Sequence, residues 1–114
     1  MQQIVSGTPP KVTFLPLQMA YETIRVHEVD FLESAHKPPF DMIYFQLEVG
    51  DATPKDRHEE TEIWIILSGS GRLVYDGQET SLEAGDSVHF VQHRYHQVFN
   101  EGQVPLLICS LSWK

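Results

Sequence analysis

The sequence predicts an all-β domain, folded as an antiparallel barrel or sandwich. Three observations carry this. Short segments rich in β-branched and aromatic residues follow one another from Thr23 to Trp113. Turns built from Gly, Pro, Asp and Asn separate them. The only helical candidate, Phe31 to Ala35, amounts to about one turn.

Taken in order, residues 1–11 carry Pro9 and Pro10 and read as a loose arm. Thr23 to Asp30 is a first strand, dense in β-branched side chains. Met42 to Val49 alternates, with Ile43, Phe45, Leu47 and Val49 on one side and Tyr44, Gln46 and Glu48 on the other. A period of two marks a strand with unlike faces. Gly50 ends it, and Thr53-Pro54 keeps the next stretch irregular. Glu62 to Ser68 is the most hydrophobic run; both of its faces are apolar, so burial on both sides is expected. Ser68-Gly69-Ser70-Gly71 turns the chain into a strand from Arg72 to Tyr75. Asp76-Gly77 is a hairpin signal, because such tight turns require positive φ. Glu79 to Leu82 returns, and Ala84-Gly85-Asp86 turns again. Ser87 to Val91, His96 to Phe99 and Leu106 to Trp113 complete the set.

The 114 residues suit one domain, with 41% hydrophobic and 21% charged residues giving an ordinary globular balance. The formal net charge of -8 and the pI near 5.0 argue against nucleic acid or anionic membrane surfaces as partners. The N-terminal residues show no secretory pattern, and no stretch approaches the roughly 20 apolar residues of a membrane span. A cytoplasmic protein is expected. The lone Cys109 is compatible with a reducing compartment and reads as a small core residue.

The chemistry lies in two blocks. In Gly50 to Gly69, residues Asp56, His58 and Glu62 share even parity. In extended chain such residues point to one side, so Asp56 and His58 can aim at one point and Glu62 can join from the next strand. Carboxylate and imidazole together suit a borderline or hard divalent ion. In Gly77 to Asn100, His96 stands on a different strand and can close the shell. An exposed polar turn is the plain alternative for His58 and Glu62, since Glu59, Glu60 and Thr61 surround them. A buried Glu62 beside Trp64, however, needs a partner. His89 reads as an outward-facing structural residue, His27 and His36 as surface residues, and Asn100 as a group that satisfies backbone at its strand end.

These blocks resemble the two motifs of the cupin superfamily. Gly50, His58, Glu62 and Gly69 fall on the positions of the first, and Asp56 stands where its first histidine is expected. Gly77, Gly85, His96 and Asn100 match the second, with a longer gap between Gly85 and His96 and with Glu83 in place of a proline. The resemblance implies a single cupin domain over residues 1–114 with a double-stranded β-helix of jelly-roll type. It implies His58, Glu62 and His96 as ligands of one divalent metal ion (Mn, Fe, Ni, Co or Zn), with Asp56 as a fourth ligand, a group that hydrogen-bonds a metal-bound water, or an acid–base group. Two functional classes follow. One is a small metalloenzyme acting on an oxygenated metabolite: an isomerase, epimerase, cyclase or lyase with the metal as Lewis acid, or a non-haem iron dioxygenase. His93, Tyr95 and Asp56 are then its proton-transfer candidates, with His89 as a further one. The other is a small-molecule binding or sensing cupin without catalysis. A homodimer is also expected: if Glu62, Trp64 and Ile66 face the cavity, then Ile63, Ile65 and Leu67 face outward and need a cover, either the segment around Val12, Phe14 and Leu15 or a second barrel.

Overall fold

A computed structural model describes residues 11–20, 23–31 and 37–114 of the chain. The helical candidate from Phe31 to Ala35 lies, but for Phe31, outside the described residues, as does all of the arm except Lys11. Among the described residues there is no helix, and therefore none long and apolar enough to cross a membrane. Ten strands run in chain order: β1 (Thr13–Phe14), β2 (Gln18–Ala20), β3 (Ile24–Asp30), β4 (Asp41–Leu47), β5 (Thr61–Ser68), β6 (Ser70–Tyr75), β7 (Gln78–Glu83), β8 (Ser87–Phe90), β9 (His96–Phe99) and β10 (Leu106–Trp113). The all-β prediction holds, and the strands from β3 onward fall within a residue or two of those read from the sequence. β1 and β2 were not anticipated.

Every strand pair is antiparallel. One sheet has the order β1-β3-β4-β10-β5-β8, with β2 also on β3, and the other has the order β7-β6-β9. The two sheets close over one core. Leu47, Ile66, Leu106 and Ile108 enter it from the larger sheet, and Leu73, Leu82 and Val98 from the smaller. Apolar residues at every second position drive this closure, because one face of each strand turns to the core; β10 departs from this at Cys109, which is also buried, on the face opposite Ile108 and Ser110. In β5 that alternation is explicit: Glu62, Trp64 and Ile66 are buried, Ile63 and Ile65 are half-buried, and Leu67 is exposed. The expectation that β5 is buried on both sides is thus corrected within one chain. Its outer face is only partly covered among the described residues.

Two tight connections set the frame. Asp76 (φ 47°) and Gly77 (φ 82°) make the two-residue hairpin between β6 and β7. Between Phe99 and β10, Asn100 is fully buried; its side-chain amide donates to the carbonyls of Leu47 (3.1 Å) and Val104 (3.0 Å), and its Oδ1 accepts from the Gly102 N–H (3.0 Å). The segment before β5 runs beside β9 through bridges at Ala52–Phe99 and Asp56–His96. That lateral pairing carries His58 across the end of the barrel toward β5.

Candidate metal centre

The site joins the two sheets. His58 lies just before β5, Glu62 is the second residue of β5, and His96 opens β9. Backbone contacts place them. The Asp56 N–H donates to the His96 carbonyl (3.1 Å), and the His96 N–H donates to the Asp56 carbonyl (2.9 Å). The His93 N–H donates to the His58 carbonyl (2.9 Å), from a residue with φ 64°. The strand that bears His96 and the loop before it therefore hold the segment that bears His58.

His58 Nε2 lies 3.0 Å from Glu62 Oε1, and His96 Nε2 lies 3.6 Å from the same oxygen. One ligand atom from each of His58, Glu62 and His96 lies within 4.8 Å of the others. The far side of each ligand is also engaged. His58 Nδ1 is 3.0 Å from the Glu60 carbonyl, and His96 Nδ1 is 3.4 Å from the Arg94 carbonyl. A carbonyl only accepts, so with an ion bound between the rings each Nδ1 would carry the proton and each Nε2 would offer its lone pair inward. Glu62 is buried, and its Oε2 accepts from the Trp64 indole N–H (2.8 Å) and from the Ser110 hydroxyl. Its Oε1 is left to face the histidines. Burial lowers the pKa of His96 below the ordinary imidazole range, opposed by the nearby Glu62 carboxylate. The neutral ring that results is the form that ligates. It stacks on Phe90 (centroids 4.6 Å apart) and meets Trp64 edge-on (5.5 Å).

These residues fit a divalent ion. Ligand atoms held about 2.1 Å from one ion lie about 3.0–3.5 Å apart at octahedral or tetrahedral angles. The two separations to Glu62 Oε1, 3.0 and 3.6 Å, are close to that. Two imidazoles and one carboxylate suit Mn, Fe, Co, Ni or Zn and do not choose among them. Beside the group lies a cavity of ≈ 230 Å³, walled by Ile24, Val26, Ile43, Phe45, Pro54 and Trp64, with Thr53, Asp56, His58, Glu62 and His96 supplying the polar part. A larger groove of ≈ 500 Å³ runs over Arg72 on the smaller sheet. Arg72 there is already paired with Glu79 and Glu101, and the groove gathers no group of converging His and carboxylate ligands.

The sequence-predicted residues separate into two groups. His58, Glu62 and His96 converge. Asp56 is exposed and lines the cavity, but its carboxylate is not part of the converging group. His93 and Tyr95 do not line the cavity. Tyr95 precedes an inward-facing His96, so alternation turns it out, and its ring lies beneath Lys55 and Arg57, each 4.9 Å from the centroid. His93 acts here through its backbone. His89 alternates with the buried Phe90 and is exposed, as expected. Ser110 was missed. It lies 48 residues from Glu62, and its one signal, shared with Ser112, is its parity with the inward Leu106 and Ile108 in a largely apolar strand.

A cupin domain model matches residues 43–112, well over half of the chain. The chain belongs to the cupin family. The protein MJ1618 of Methanocaldococcus jannaschii is 32% identical over 66 residues, which is 57% of this cupin and 53% of that protein. This cupin thus spans about half the length of that curated relative. Among solved structures, a cupin 2 conserved barrel domain protein from Salinispora arenicola matches at TM-score 0.78 and 23% identity, over 94% of this chain and 91% of that one. A protein of Thermotoga maritima named a predicted oxalate decarboxylase matches at TM-score 0.71 and 22% identity, over 79% of each chain. At these identities the likeness establishes the jelly-roll fold alone.

Proposed function

We propose that this cupin is a metal-dependent enzyme acting on a small oxygenated metabolite. The observation that supports this is the meeting of two Nε2 atoms and one carboxylate oxygen within 4.8 Å beside an apolar-walled cavity. A divalent ion bound there supplies Lewis acidity that polarises a carbonyl or stabilises an enolate. The protein's own residues do the rest. His58, Glu62 and His96 hold the ion, with their outward atoms tied to Glu60, Arg94, Trp64 and Ser110. The apolar wall excludes water and orients the substrate. Asp56, on that wall and outside the ligand group, accepts a proton from the carbon or hydroxyl presented to it. Proton transfer without a change of oxidation state is isomerase, epimerase, cyclase or lyase chemistry.

A second reading has its own support. With Asp56 outside the group, the protein supplies two histidines and one carboxylate, the donor set used by non-haem iron oxygenases, which keeps positions open. One experiment separates these readings. Protein purified without chelator is expected to carry near-stoichiometric metal, and His58→Ala and His96→Ala to lose most of it; full metal content in both variants overturns the centre. Turnover of oxygenated metabolites is then followed with and without dioxygen. Turnover in its absence, lost in Asp56→Ala while metal is retained, supports the Lewis-acid enzyme. Strict coupling to oxygen consumption with Fe(II) supports the oxygenase. Thermal stabilisation by ligands with no turnover supports a binding cupin.

A further inference from the structure

The cavity's lining also restricts what it can admit, an inference that rests on the metal-centre reading. Six of its eleven lining residues are apolar, and none is Lys or Arg. The nearest cations along the chain are Arg25, Lys55 and Arg57. Arg25 is exposed and alternates with the lining residues Ile24 and Val26, so it points to the other face of β3, while Lys55 and Arg57 flank Asp56 but lie over the outward-facing Tyr95 ring. They face away from anything held between His58 and Phe45. The charged groups on the wall are instead acidic: Asp56 and Glu62. With a divalent ion bound, these two carboxylates bring the site close to neutrality. A ligand's single anionic or carbonyl oxygen is then accommodated at the ion, but a second anionic group in the cavity would lie on apolar wall with no cation opposite it, and an unpaired buried charge is expensive. Polyhydroxylated ligands meet the same obstacle. Beyond the metal ligands only Thr53 and Asp56 offer polar side chains, and the Thr53 hydroxyl oxygen already accepts from the Val98 N–H (3.0 Å). The space is small as well. A water molecule's share of liquid volume is about 30 Å³, so ≈ 230 Å³ holds on the order of eight non-hydrogen atoms.

We infer that the substrate is a compact, mainly apolar molecule with a single oxygen-donor head for the ion, and not a dicarboxylate or a sugar acid. Ile43, Phe45, Val26 and Trp64 then determine specificity, since they receive the body of the ligand. Cobalt-loaded full-length protein tests this, with the visible spectrum of the bound cobalt as readout. Acetate, butyrate, hexanoate and benzoate are titrated beside succinate and gluconate. Affinity is expected to rise by about fourfold per added methylene. The rise should level off near the size of hexanoate and benzoate, because a longer tail stays in water. Succinate and gluconate are expected to bind more weakly than butyrate. Val26→Arg, which puts a cation on the wall, should narrow the gap between succinate and butyrate. The series on the unsubstituted chain stands even if that variant does not fold. If cobalt is bound but succinate or gluconate is preferred, or no monocarboxylate perturbs the spectrum, this inference is overturned and the metal centre stands. Failure to take up cobalt overturns the centre itself and the inference with it.

Discussion

Glu62 shows how a single side chain is prepared for a metal. Its Oε2 is held by Trp64 on its own strand and by Ser110 on β10, and Ser110 and Trp64 are themselves register partners. Two donors on one oxygen fix the carboxylate plane and leave the other oxygen for the histidines. Ser110→Ala removes one of them and leaves all three ligands in place. The expected result is a loss of about 10- to 100-fold in metal affinity, measured by competition with a chromophoric chelator. Ser110→Thr, which keeps a hydroxyl, should recover most of it. An unchanged affinity in the alanine variant would mean that Trp64 alone orients Glu62. The residue-level site was legible only where its geometry is local. Parity alone put Asp56 on the side of His58, and Asp56 does line the cavity. Whether its carboxylate reaches the group depends on an irregular turn that parity does not describe. Ser110 was not legible, because its partner is a strand pairing away.

At the scale of elements, the chain shows which signals survive folding. The Asp76-Gly77 hairpin lies where the sequence places it, and the turn expected over Ser68-Gly69-Ser70-Gly71 narrows to Gly69, with β6 beginning at Ser70. Glycine is required there: a Cβ on Gly69 (φ 84°) would come within 2.5 Å of the Pro105 carbonyl oxygen. β1 and β2 carry no such signal. They are two and three residues long and mostly exposed, so they show no alternation; pairing with β3 alone creates them. β5 was misjudged in the other direction, because apolar residues on an outer face and in a core look alike in sequence. Asn100 was read as a residue that satisfies backbone, and it does so between β4 and the loop leading to β10. Asn100→Ala leaves the buried Leu47 carbonyl, the partly buried Val104 carbonyl and the Gly102 N–H without their side-chain partner. A loss of about 3 kcal/mol is expected in urea unfolding of the metal-free protein. A change below about 0.5 kcal/mol would show that other groups or water replace the amide.

At the scale of the molecule, the outer face of the larger sheet remains to be covered. Ile63, Ile65 and Leu67 of β5 line up there with Leu107, Leu111 and Trp113 of β10, none of them fully buried. The described part of the arm does not reach them. β1 pairs with β3, and Phe14 packs on His27 and Tyr44 at centroid distances of 5.9 and 5.5 Å. In the order β3-β4-β10-β5, that contact stops two strands short of β5. A contiguous apolar face of this kind is usually a contact surface, and a twofold axis through it lets one patch meet its own copy. Burial returns roughly 25 cal/mol per Å² before the entropy of association is subtracted. The β5 side chains alone would therefore be marginal, and a dimer would need the β10 residues beside them in the contact. Light scattering coupled to size exclusion at micromolar concentration is expected to give the mass of a dimer. Ile65→Lys would place a charge in the middle of the contact and should shift the mass toward monomer. It should leave metal content unchanged, because Ile65 lies on the opposite face of β5 from Glu62 and Trp64. A monomer mass at every concentration for the unsubstituted chain would mean that this face is satisfied within one copy. If Ile65→Lys lost its metal along with its partner, closure of the barrel itself would depend on the second chain.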